Sequence, residues 1–334
     1  MQSVAAEATE TVEEKSVNRF GVDAASRAWR RIRRSRSNAE RDRRAVTGVL
    51  ATLFGGIFWG FSGTCASFLF ENYTVDTTWL MCARQIVSGL IFLIVILSRR
   101  TDRGNLVRLL TTKRDVAVLV VFSAFGVLLN QYGYLMAVRL TNAGTATVLQ
   151  CLQLVMIMVY SCLRSRRAPR RREFAGVVLA LAGTYLLATG GNPSNLAIPL
   201  EGLTIGLVAA VGAACMSIIP ARILPKYGAS VVTGSGMLLS GIVTTCLFHP
   251  WANMPQLDGM GWGAFFVLAA VGSCLAYSLY MQGVKDIGSM RASLIGTVEP
   301  VSAAVTSAVV LGTVFTMPDI AGFACIIVMV FLTA

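Results

Sequence analysis

Hydrophobic residues from about position 45 onward stand in long continuous blocks, interrupted by short polar stretches. Each block approaches the roughly 20 residues with which an α-helix crosses a bilayer. The blocks do not alternate polar and apolar positions as the strands of a membrane β-barrel do. The pattern therefore predicts an all-α membrane protein of about ten transmembrane helices, at 47–70, 77–98, 115–137, 143–163, 174–190, 202–220, 230–248, 262–282, 290–312 and 317–334.

The composition excludes a sizeable soluble domain, and it contains few of the residue types that form catalytic or metal sites. Hydrophobic residues make up 55% of the 334 residues and charged residues only 14%, whereas soluble domains carry about 25% charged residues. The eight cysteines lie inside the predicted helices without a CxxC pair, and His249 is the single histidine. We therefore expect no disulfide framework, metal site, cofactor or enzyme active site. The sequence lacks a GxxxxGK loop, so ATP is not expected to drive the protein directly.

The positive charge of the chain is concentrated in alternate loops. The formal net charge is +12, and the 29 Lys and Arg residues include 11 in 1–44, six in 99–114 and six in 164–172. The alternate loops near 71–76, 191–201 and 249–261 carry none, and Arg139 in a short outer turn is an exception. The positive-inside rule then places the N-terminus and the basic loops in the cytoplasm. We interpret the charge as an orientation signal and predict no binding of nucleic acid.

Residues 1–44 form a tail with an acidic start followed by "RAWRRIRRSRSNAERDRR". The tail lacks the apolar core of a signal peptide, and its acidic residues are atypical of a transit peptide. We expect a solvated, disordered cytoplasmic tail. The alternative is weak docking on anionic lipid through Trp29, Ile32 and the arginines. The basic inner loops and the absence of a targeting signal favour a bacterial cytoplasmic membrane.

An internal repeat divides the hydrophobic part of the chain. A shift of 146 residues aligns "YLMAVRLTNAGTATVLQCLQLV" (134–155) with "YMQGVKDIGSMRASLIGTVEPV" (280–301), and "EFAG" (173–176) with "DIAG" (319–322). A different offset aligns "TCAS" (64–67) with "ACMS" (214–217). Two halves of five helices follow, at 45–190 and 200–334. Because five is odd, the second half enters the membrane from the opposite side, which makes an inverted repeat.

Several short motifs resemble those of one transporter family. They are "WGFSGTCAS" (59–67), Arg84 in the second helix, the "GY" that begins 133–137, "EPV" (299–301) and "IAG" (320–322). On these the chain resembles the drug/metabolite transporter superfamily, in particular the EamA-type transporters with ten helices in two repeats. The resemblance implies a secondary transporter of small organic metabolites, with export of amino acids or related compounds as the expected activity.

The chain departs from this family at three places. Relatives commonly carry a proline in the fourth helix where this chain has Leu154, so the sequence supports a kink only in the second half. They often carry a glutamate after Leu311-Gly312, where this chain has Thr313. The apolar part of the last run has about 15 residues, roughly 22 Å of helix, short of a core of roughly 30 Å. We therefore expect a truncated C-terminus.

Glu299 and Pro300 stand side by side in the middle of the ninth predicted helix. A carboxylate at the bilayer centre costs several kcal/mol unless it is neutral, paired or hydrated, so Glu299 is expected to face an interior cavity. Pro300 removes a backbone donor and clashes with the carbonyl of Gly296, which predicts a kink at that depth. The alternative is a protonated Glu299 hydrogen-bonded across a helix interface, with Pro300 as packing.

The repeat and the helical spacing indicate further residues of the predicted substrate site. Gln153 is the counterpart of Glu299, and Gln150 lies one turn earlier on the same face. Polar tips at helical spacing add five candidates, which are Asn130, Gln131, Tyr134, Tyr277 and Tyr280. Hydrogen bonding between helices is an equal alternative for each of them.

Arg84 and Trp59 complete the candidate set. Arg84 has three interpretations: it snorkels to the interface, pairs with Glu299 or binds an anionic group of a ligand. Trp59 either forms an aromatic wall of the cavity or packs against other rings. The glycines beside it, at 56, 60 and 63, are expected to allow close helix approach.

Three functional classes remain at this stage. The leading one is a transporter that alternates access between its two halves, with Glu299 exchanging a proton or meeting a substrate ammonium. An exchanger of phosphorylated sugars or nucleotide-sugars would need several cations at the centre, and only Arg84 lies within the membrane. A scaffold or sensor without transport gives no reason for a midplane carboxylate. The predicted partners are a small-molecule substrate, the lipid bilayer and, as a hypothesis, protons.

Overall fold

A computed structural model describes residues 43–166, 168, 170–192, 197–287, 292, 295–296 and 298–333. Within these residues the structure is helical and contains no strand. Ten helices follow the hydrophobic blocks of the sequence, and eight of them are long and apolar enough to cross a membrane. The predicted all-α membrane fold is therefore confirmed. The predicted tail, 1–44, lies outside the described residues except for its last two.

The ten main helices are numbered in chain order. They are α1 (Arg43–Asn72), α2 (Thr77–Ser98), α3 (Lys113–Leu140), α4 (Ala143–Arg164), α5 (Arg171–Thr189), α6 (Leu200–Arg222), α7 (Ala229–Phe248), α8 (Gly259–Val284), α9 (Val298–Leu311) and α10 (Met317–Thr333). A short helix, Arg100–Thr111, connects α2 to α3. Most helices extend a few residues beyond the predicted blocks, because polar residues continue the terminal turns. The predicted start of the ninth helix, near 290, falls outside the described residues.

Short capping signals determine where several helices begin and end. The carboxylate of Asp76 accepts from the N–H of Thr78 at 3.3 Å at the start of α2, and Asn142 Oδ1 accepts from the N–H of Thr145 at 2.8 Å at the start of α4. Such caps satisfy backbone donors that have no partner inside the helix. Gly190, which follows α5, has φ +59°, a left-handed conformation that favours glycine.

Helix pairing follows the internal repeat. Close contacts join α2 to α7, α5 to α10, α4 to α9 and α3 to α6. Gly55 of α1 lies against the backbone of α8, where an added Cβ would stand 2.9 Å from the carbonyl oxygen of Ala276. The first three pairs join counterparts in the repeat, and the pairs α3–α6 and α1–α8 are images of each other. Exchanging the two halves therefore reproduces the same pairing, as expected of an inverted repeat.

Both halves contain a π-helical stretch at the same place in the repeat. The stretches are Phe122–Leu128 in α3 and Val267–Leu275 in α8. The 146-residue shift carries the first onto 268–274, within one residue of the second at each end. Such stretches are rare and occur frequently at functional sites.

The α4 helix is interrupted near its middle, although this part of the sequence contains no proline. The helical ladder gives way to a turn at Cys151 and Leu152. There the N–H of Leu152 donates to the carbonyl of Leu149 at 3.1 Å, and the N–H of Leu154 donates to that of Cys151 at 3.1 Å. These are three-residue steps instead of the four-residue steps of an α-helix. The sequence supported a kink only in the second half, and it did not predict this irregular turn, because a helix also changes its hydrogen-bond register without proline.

Contacts between loops identify the two ends of the bundle. At one end Asp115, the third residue of α3, accepts from Lys226 Nζ at 3.1 Å and from the Tyr227 hydroxyl at 2.8 Å. This end carries the basic loops, and we call it the basic end. At the opposite end the Tyr73 hydroxyl donates to the carboxylate of Asp258, which caps α8. That hydrogen bond holds the pKa of Asp258 below its usual value and raises the pKa of Tyr73.

The largest packed core occupies the opposite end of the bundle. Its members include Leu69, Leu80, Leu135 and Leu268, each with no exposed surface. A second core, around Phe122, lies at the basic end and joins α2 and α3 to the segment that connects α6 with α7. Between the two cores the packing leaves a space, which contains the candidate site.

Candidate functional site

A cavity of about 520 Å³ lies between the two halves of the repeat. We call it the central cavity. Its volume falls within the roughly 300–1,000 Å³ of small-molecule sites. Residues of α1 to α4 line it from the first half, and residues of α6 to α10 line it from the second half. A cavity shared in this way changes shape whenever the two halves move relative to each other.

The structure brings all the sequence-predicted site residues to this one cavity. The lining includes Trp59, Arg84, Asn130, Gln131, Tyr134, Gln150, Gln153, Tyr277, Tyr280, Glu299 and Pro300. Their role in substrate binding stays a prediction. Their convergence from six helices follows from the helix pairing, which turns the polar faces of α3, α4, α8 and α9 toward one another.

Amide side chains on α3 and α4 form a hydrogen-bonded wall. Gln150 Nε2 donates to Asn130 Oδ1 at 2.6 Å, and Asn130 Nδ2 contacts Met216 Sδ of α6 at 3.7 Å. The Tyr134 hydroxyl lies 3.2 Å from the hydroxyl of Thr147 on α4. Asn130, Tyr134 and Gln150 thus make hydrogen bonds between helices and also line the cavity, so the two interpretations of these residues are compatible.

Aromatic rings form the wall on the side of α1 and α8. The rings of Trp59 and Tyr280 have centroids 5.1 Å apart, and Tyr277 packs edge-on against Phe92 at 5.5 Å. The Tyr277 hydroxyl lies 2.8 Å from that of Thr233 on α7. Trp59 thus belongs to the cavity wall and packs against a ring as well. This wall offers apolar surface with polar tips to a bound molecule.

Arg84 is held inside the bundle by α8. Its side chain is 8% exposed, and its Nε donates to Ser273 Oγ at 3.1 Å. The residue does not snorkel to the interface. No ion pair within 4.0 Å joins it to Glu299 in the described part of the chain, and its Nη1 atom is buried without a hydrogen-bond partner. Snorkelling does not fit this burial, and the other two interpretations of Arg84 stay predictions.

Glu299 lies on α9, lines the central cavity and is half-buried. Across the residues that the structure describes, its side chain makes no hydrogen bond and no ion pair. Among the described residues no hydrogen bond joins Glu299 to another helix, and its role stays a prediction. Pro300 beside it is buried, and the kink predicted there stays a prediction.

Glycines of α1 bring that helix against the backbone of α9. An added Cβ at Gly60 would lie 2.5 Å from the carbonyl oxygen of Glu299 and 2.7 Å from the backbone nitrogen of Ala303. At Gly56 it would lie 2.6 Å from Val298 Cγ1. Atoms cannot approach so closely, so α1 and α9 pack at this distance only with glycine. The expected role of these glycines agrees with this packing.

The central cavity extends toward the basic end of the bundle. Its lining includes Pro220 at the end of α6, Leu224 in the following segment and Thr233 in the first turns of α7. Toward the opposite end it meets the core around Leu80 and Leu135, which is fully buried. The described lining of the cavity thus continues toward the basic end and meets a packed core on the other side.

Sequence reasoning missed several lining residues, of which Ser273 is the most informative. It lies on the face of α8 that carries Tyr277 and Tyr280, four and seven residues further on. This spacing would have found it. The repeat could not, because its counterpart is Val127. Other lining residues outside the predicted set are Ser62, Cys151, Met216, Thr233 and Met237.

These features define a class of protein: an integral membrane protein with an inverted five-helix repeat and a polar cavity between its halves. The model of the EamA-like transporter family matches the chain twice, at residues 46–189 and 200–334. The chain belongs to this family and is a membrane transporter. The predicted family is thus confirmed.

Curated relatives carry transporter names. An uncharacterized inner membrane transporter of Salmonella typhimurium, YicL, is 33% identical over 272 residues, which cover 81% of this chain and 90% of the relative. An uncharacterized transporter of Bacillus subtilis, YetK, is 26% identical over 233 residues, 66% of this chain and 69% of the relative. A crystal structure with 18% identity superposes with a TM-score of 0.57 and covers 86% of this chain and 96% of its own. At that identity the likeness concerns the fold alone.

Proposed function

We propose that this protein is a secondary transporter that exports small organic metabolites, amino acids or related compounds, through the central cavity. The observation that carries the proposal is the convergence of polar side chains from both halves on one cavity beside the unpaired carboxylate of Glu299. Repeat-built transporters bind their ligands at such an interface. A phosphorylated sugar is a weaker match, because Arg84 is the one cationic side chain among the described lining residues.

Alternating access is the proposed mechanism. The two halves pack through equivalent helix pairs. A small rocking movement of one half against the other can therefore exchange the conformation open to one side for the pseudo-two-fold related conformation open to the other side. The cavity reaches the basic end, and a packed core separates it from the opposite end. This asymmetry agrees with one of the two end states of alternating access, the state in which the cavity is open to one side of the membrane only.

The proposed location is the inner membrane of a bacterium, with the basic end in the cytoplasm. Two observations support it: the name of the Salmonella relative and the concentration of Lys and Arg in the loops of that end. In this orientation the N-terminus is cytoplasmic and the cavity opens toward the cytoplasm, the side from which an exporter loads its substrate.

Proton coupling through Glu299 is the proposed driving force. A carboxylate without an ion pair in a cavity binds and releases a proton as the access changes, or it meets a substrate ammonium. The purified protein in liposomes, with a pH gradient imposed across the membrane, separates these roles. Transport that follows the gradient supports exchange of protons, and transport indifferent to it rejects coupling.

The test of the proposed function is a Glu299→Gln variant in cells that contain equal amounts of folded protein. Metabolites are profiled inside the cells and in the medium. We expect the wild type to deplete one compound class from the cells and the variant to lose this activity by roughly tenfold or more, since a charged partner is removed.

Glu201→Gln is the matched control, because Glu201 is exposed at the start of α6. We expect this variant to behave like the wild type. If wild type and Glu299→Gln deplete the compounds equally, the carboxylate is structural and the mechanism proposed for it is wrong. If neither differs from cells without the protein, export is rejected as its function in those cells.

A further inference from the structure

The connecting helix between α2 and α3, Arg100–Thr111, has three different faces. The face that is turned toward the bundle consists of Asp102, Asn105, Leu106 and Leu109, which are buried or half-buried. A second face is exposed and mostly small or polar, with Thr101, Gly104, Arg108 and Thr111. The third face is also exposed and consists of Arg100, Arg103, Val107 and Leu110, which we call the exposed stripe. Spacings of three and four residues keep each set on one side of the helix.

Contacts of the first face fix the rotation of the connecting helix about its axis. Leu109 has no exposed surface and belongs to the second core, together with Ile223 and Tyr227. Asn105 Nδ2 donates to the carbonyl oxygen of Tyr227 at 3.3 Å. The helix also contacts α2, α7 and the start of α3. The exposed stripe is therefore turned away from the bundle by packing on the other side of the helix.

The position of the connecting helix follows from the two spans that it joins. It lies between the end of α2 at Ser98 and the start of α3 at Lys113, both at the basic end. Its 12 residues make about 18 Å of helix. Because both of its ends join spans at the same end of the bundle, the helix lies across that end and does not project from it. A helix in this place borders on the bundle, the lipid headgroups and water, and three faces match these three surroundings.

The exposed stripe combines apolar surface with positive charge. Val107 is 61% exposed and Leu110 is 56% exposed, although the helix lies between two spans and not within one. Arg100 and Arg103 precede them on the same stripe and are exposed. Burial of apolar side chains in hydrocarbon is favourable, and a guanidinium binds phosphate oxygens with parallel N–H groups. Helices with this combination lie in the membrane interface and bind anionic lipid.

We infer that the exposed stripe binds anionic phospholipid at the membrane surface of the basic end. Val107 and Leu110 lie below the headgroups, and Arg100 and Arg103 bind the phosphate groups. This lipid site is separate from the central cavity, and the inference does not depend on what the protein transports. The bound lipid holds the connecting helix against the segment between α6 and α7, whose Leu224 lines the central cavity. It thereby stabilises one part of the cavity wall.

The first test measures the depth of position 107 in a bilayer. A nitroxide is attached at Val107→Cys in the full chain, with the eight native cysteines replaced, and the protein is placed in nanodiscs. The discs contain phosphatidylcholine alone or with an equal amount of phosphatidylglycerol. Paramagnetic resonance compares collisions of the nitroxide with oxygen, which concentrates in hydrocarbon, and with a water-soluble nickel chelate. We expect oxygen to prevail, and more strongly in the discs that contain phosphatidylglycerol.

Thr101→Cys is the matched control for depth, because Thr101 is exposed on the polar face of the same helix. A nitroxide at this position is expected to collide mainly with the nickel chelate in both kinds of disc. Leu110→Cys repeats the measurement on the exposed stripe. The test therefore remains decisive if Val107→Cys fails to fold.

The second test assigns the lipid phosphate to an arginine. The fraction of phosphatidylglycerol is titrated while the nitroxide at position 107 reports on this site and not on the basic loop at 164–172. In Arg103→Gln we expect about fivefold more phosphatidylglycerol to be needed for the same depth, the effect of one cation near an anionic surface. Arg108→Gln removes the same charge from the polar face, and it is expected to match the wild type.

Four results overturn the inference. A nitroxide at positions 107 and 110 that meets the nickel chelate as readily as one at 101 places the stripe in water. A nitroxide shielded from both oxygen and nickel shows that protein covers the stripe. A depth that is independent of phosphatidylglycerol rejects an anionic partner, and equal effects of Arg103→Gln and Arg108→Gln reject the stripe as the binding surface.

Discussion

Gly60 determines how closely α1 approaches the carboxylate-bearing turn of α9. In Gly60→Ala the new methyl group would lie 2.5 Å from the carbonyl oxygen of Glu299, so the backbone of α9 must move. We expect a loss of about 1–3 kcal/mol in stability, the cost of overpacking, and reduced transport because Glu299 is displaced. Thermal unfolding in detergent and transport in liposomes measure the two effects.

Gly104→Ala is the matched control for this substitution. Gly104 lies in the exposed connecting helix, and no atom stands within 4 Å of a Cβ added there. Alanine at a helix interior is favoured over glycine by about 0.5–1 kcal/mol, so this variant is expected to be neutral or slightly stabilised. Equal behaviour of the two variants would contradict the role of Gly60.

The two halves place different chemistry at equivalent positions. Gln153 of α4 and Glu299 of α9 are counterparts in the repeat and line the same cavity. Gln153 follows the turn at Cys151 and Leu152, and Glu299 directly precedes Pro300. Among the described lining residues, the cavity therefore has a single carboxylate, which belongs to the second half. Symmetry of the backbone thus coexists with asymmetry of the side chains.

At the scale of elements, α3 is tied to the segment between α6 and α7. Asp115 is 2% exposed and receives hydrogen bonds from Lys226 and Tyr227, while Leu224 of the same segment lines the cavity. In Asp115→Asn the ion pair is lost and the amide is a weaker acceptor for Tyr227. We expect the segment to loosen and trypsin to cleave faster after Lys226, as followed by mass spectrometry of the fragments.

Asp102→Asn is the control for this element. Asp102 pairs with Arg99 at 3.9 Å on the surface, where the arginine side chain is 64% exposed. Exposed pairs of this kind contribute little, so cleavage after Lys226 is expected to stay at the wild-type rate. An Asp115→Asn variant that also keeps the wild-type rate would show that the segment is held by its apolar contacts instead.

At the scale of the whole molecule, the direction of access is testable with native cysteines. Cys151 lines the central cavity, whereas Cys65 belongs to the packed core of the opposite end. Two variants that each retain one of them, with the other seven cysteines replaced, are treated with a membrane-impermeant thiol reagent on either side of oriented vesicles. We expect Cys151 to react faster from the basic end than from the opposite end, because the core blocks the second path.

Cys65 is expected to react slowly from both sides, since it is 7% exposed and lies within the core. This comparison separates access through the cavity from general permeability of the vesicles. Equal rates for the two cysteines, or faster reaction of Cys151 from the opposite end, would contradict the described direction of access. A transported substrate is expected to slow the reaction of Cys151 by occupying the cavity.

The sequence by itself determined the helices, the repeat and the candidate residues. Helix positions follow from the length of apolar runs, which is a local property set by bilayer thickness. The alignment of the two repeats identified Gln153 as the counterpart of Glu299, and helical spacing identified Asn130 and Tyr134 as site candidates. These residues reach one cavity because the pairing of helices preserves the symmetry that the repeat predicts.

Only the tertiary structure decided how the charged residues are partnered. Ser273 accepts a hydrogen bond from Arg84, no ion pair within 4.0 Å joins Arg84 to Glu299 among the described residues, and the lining of the cavity extends toward the basic end. These facts depend on the rotation of each helix about its axis and on the distances that Gly60 and similar residues permit, which no periodicity encodes. The interruption of α4 at Cys151 and Leu152 is likewise visible only in the structure, because the sequence has no proline there.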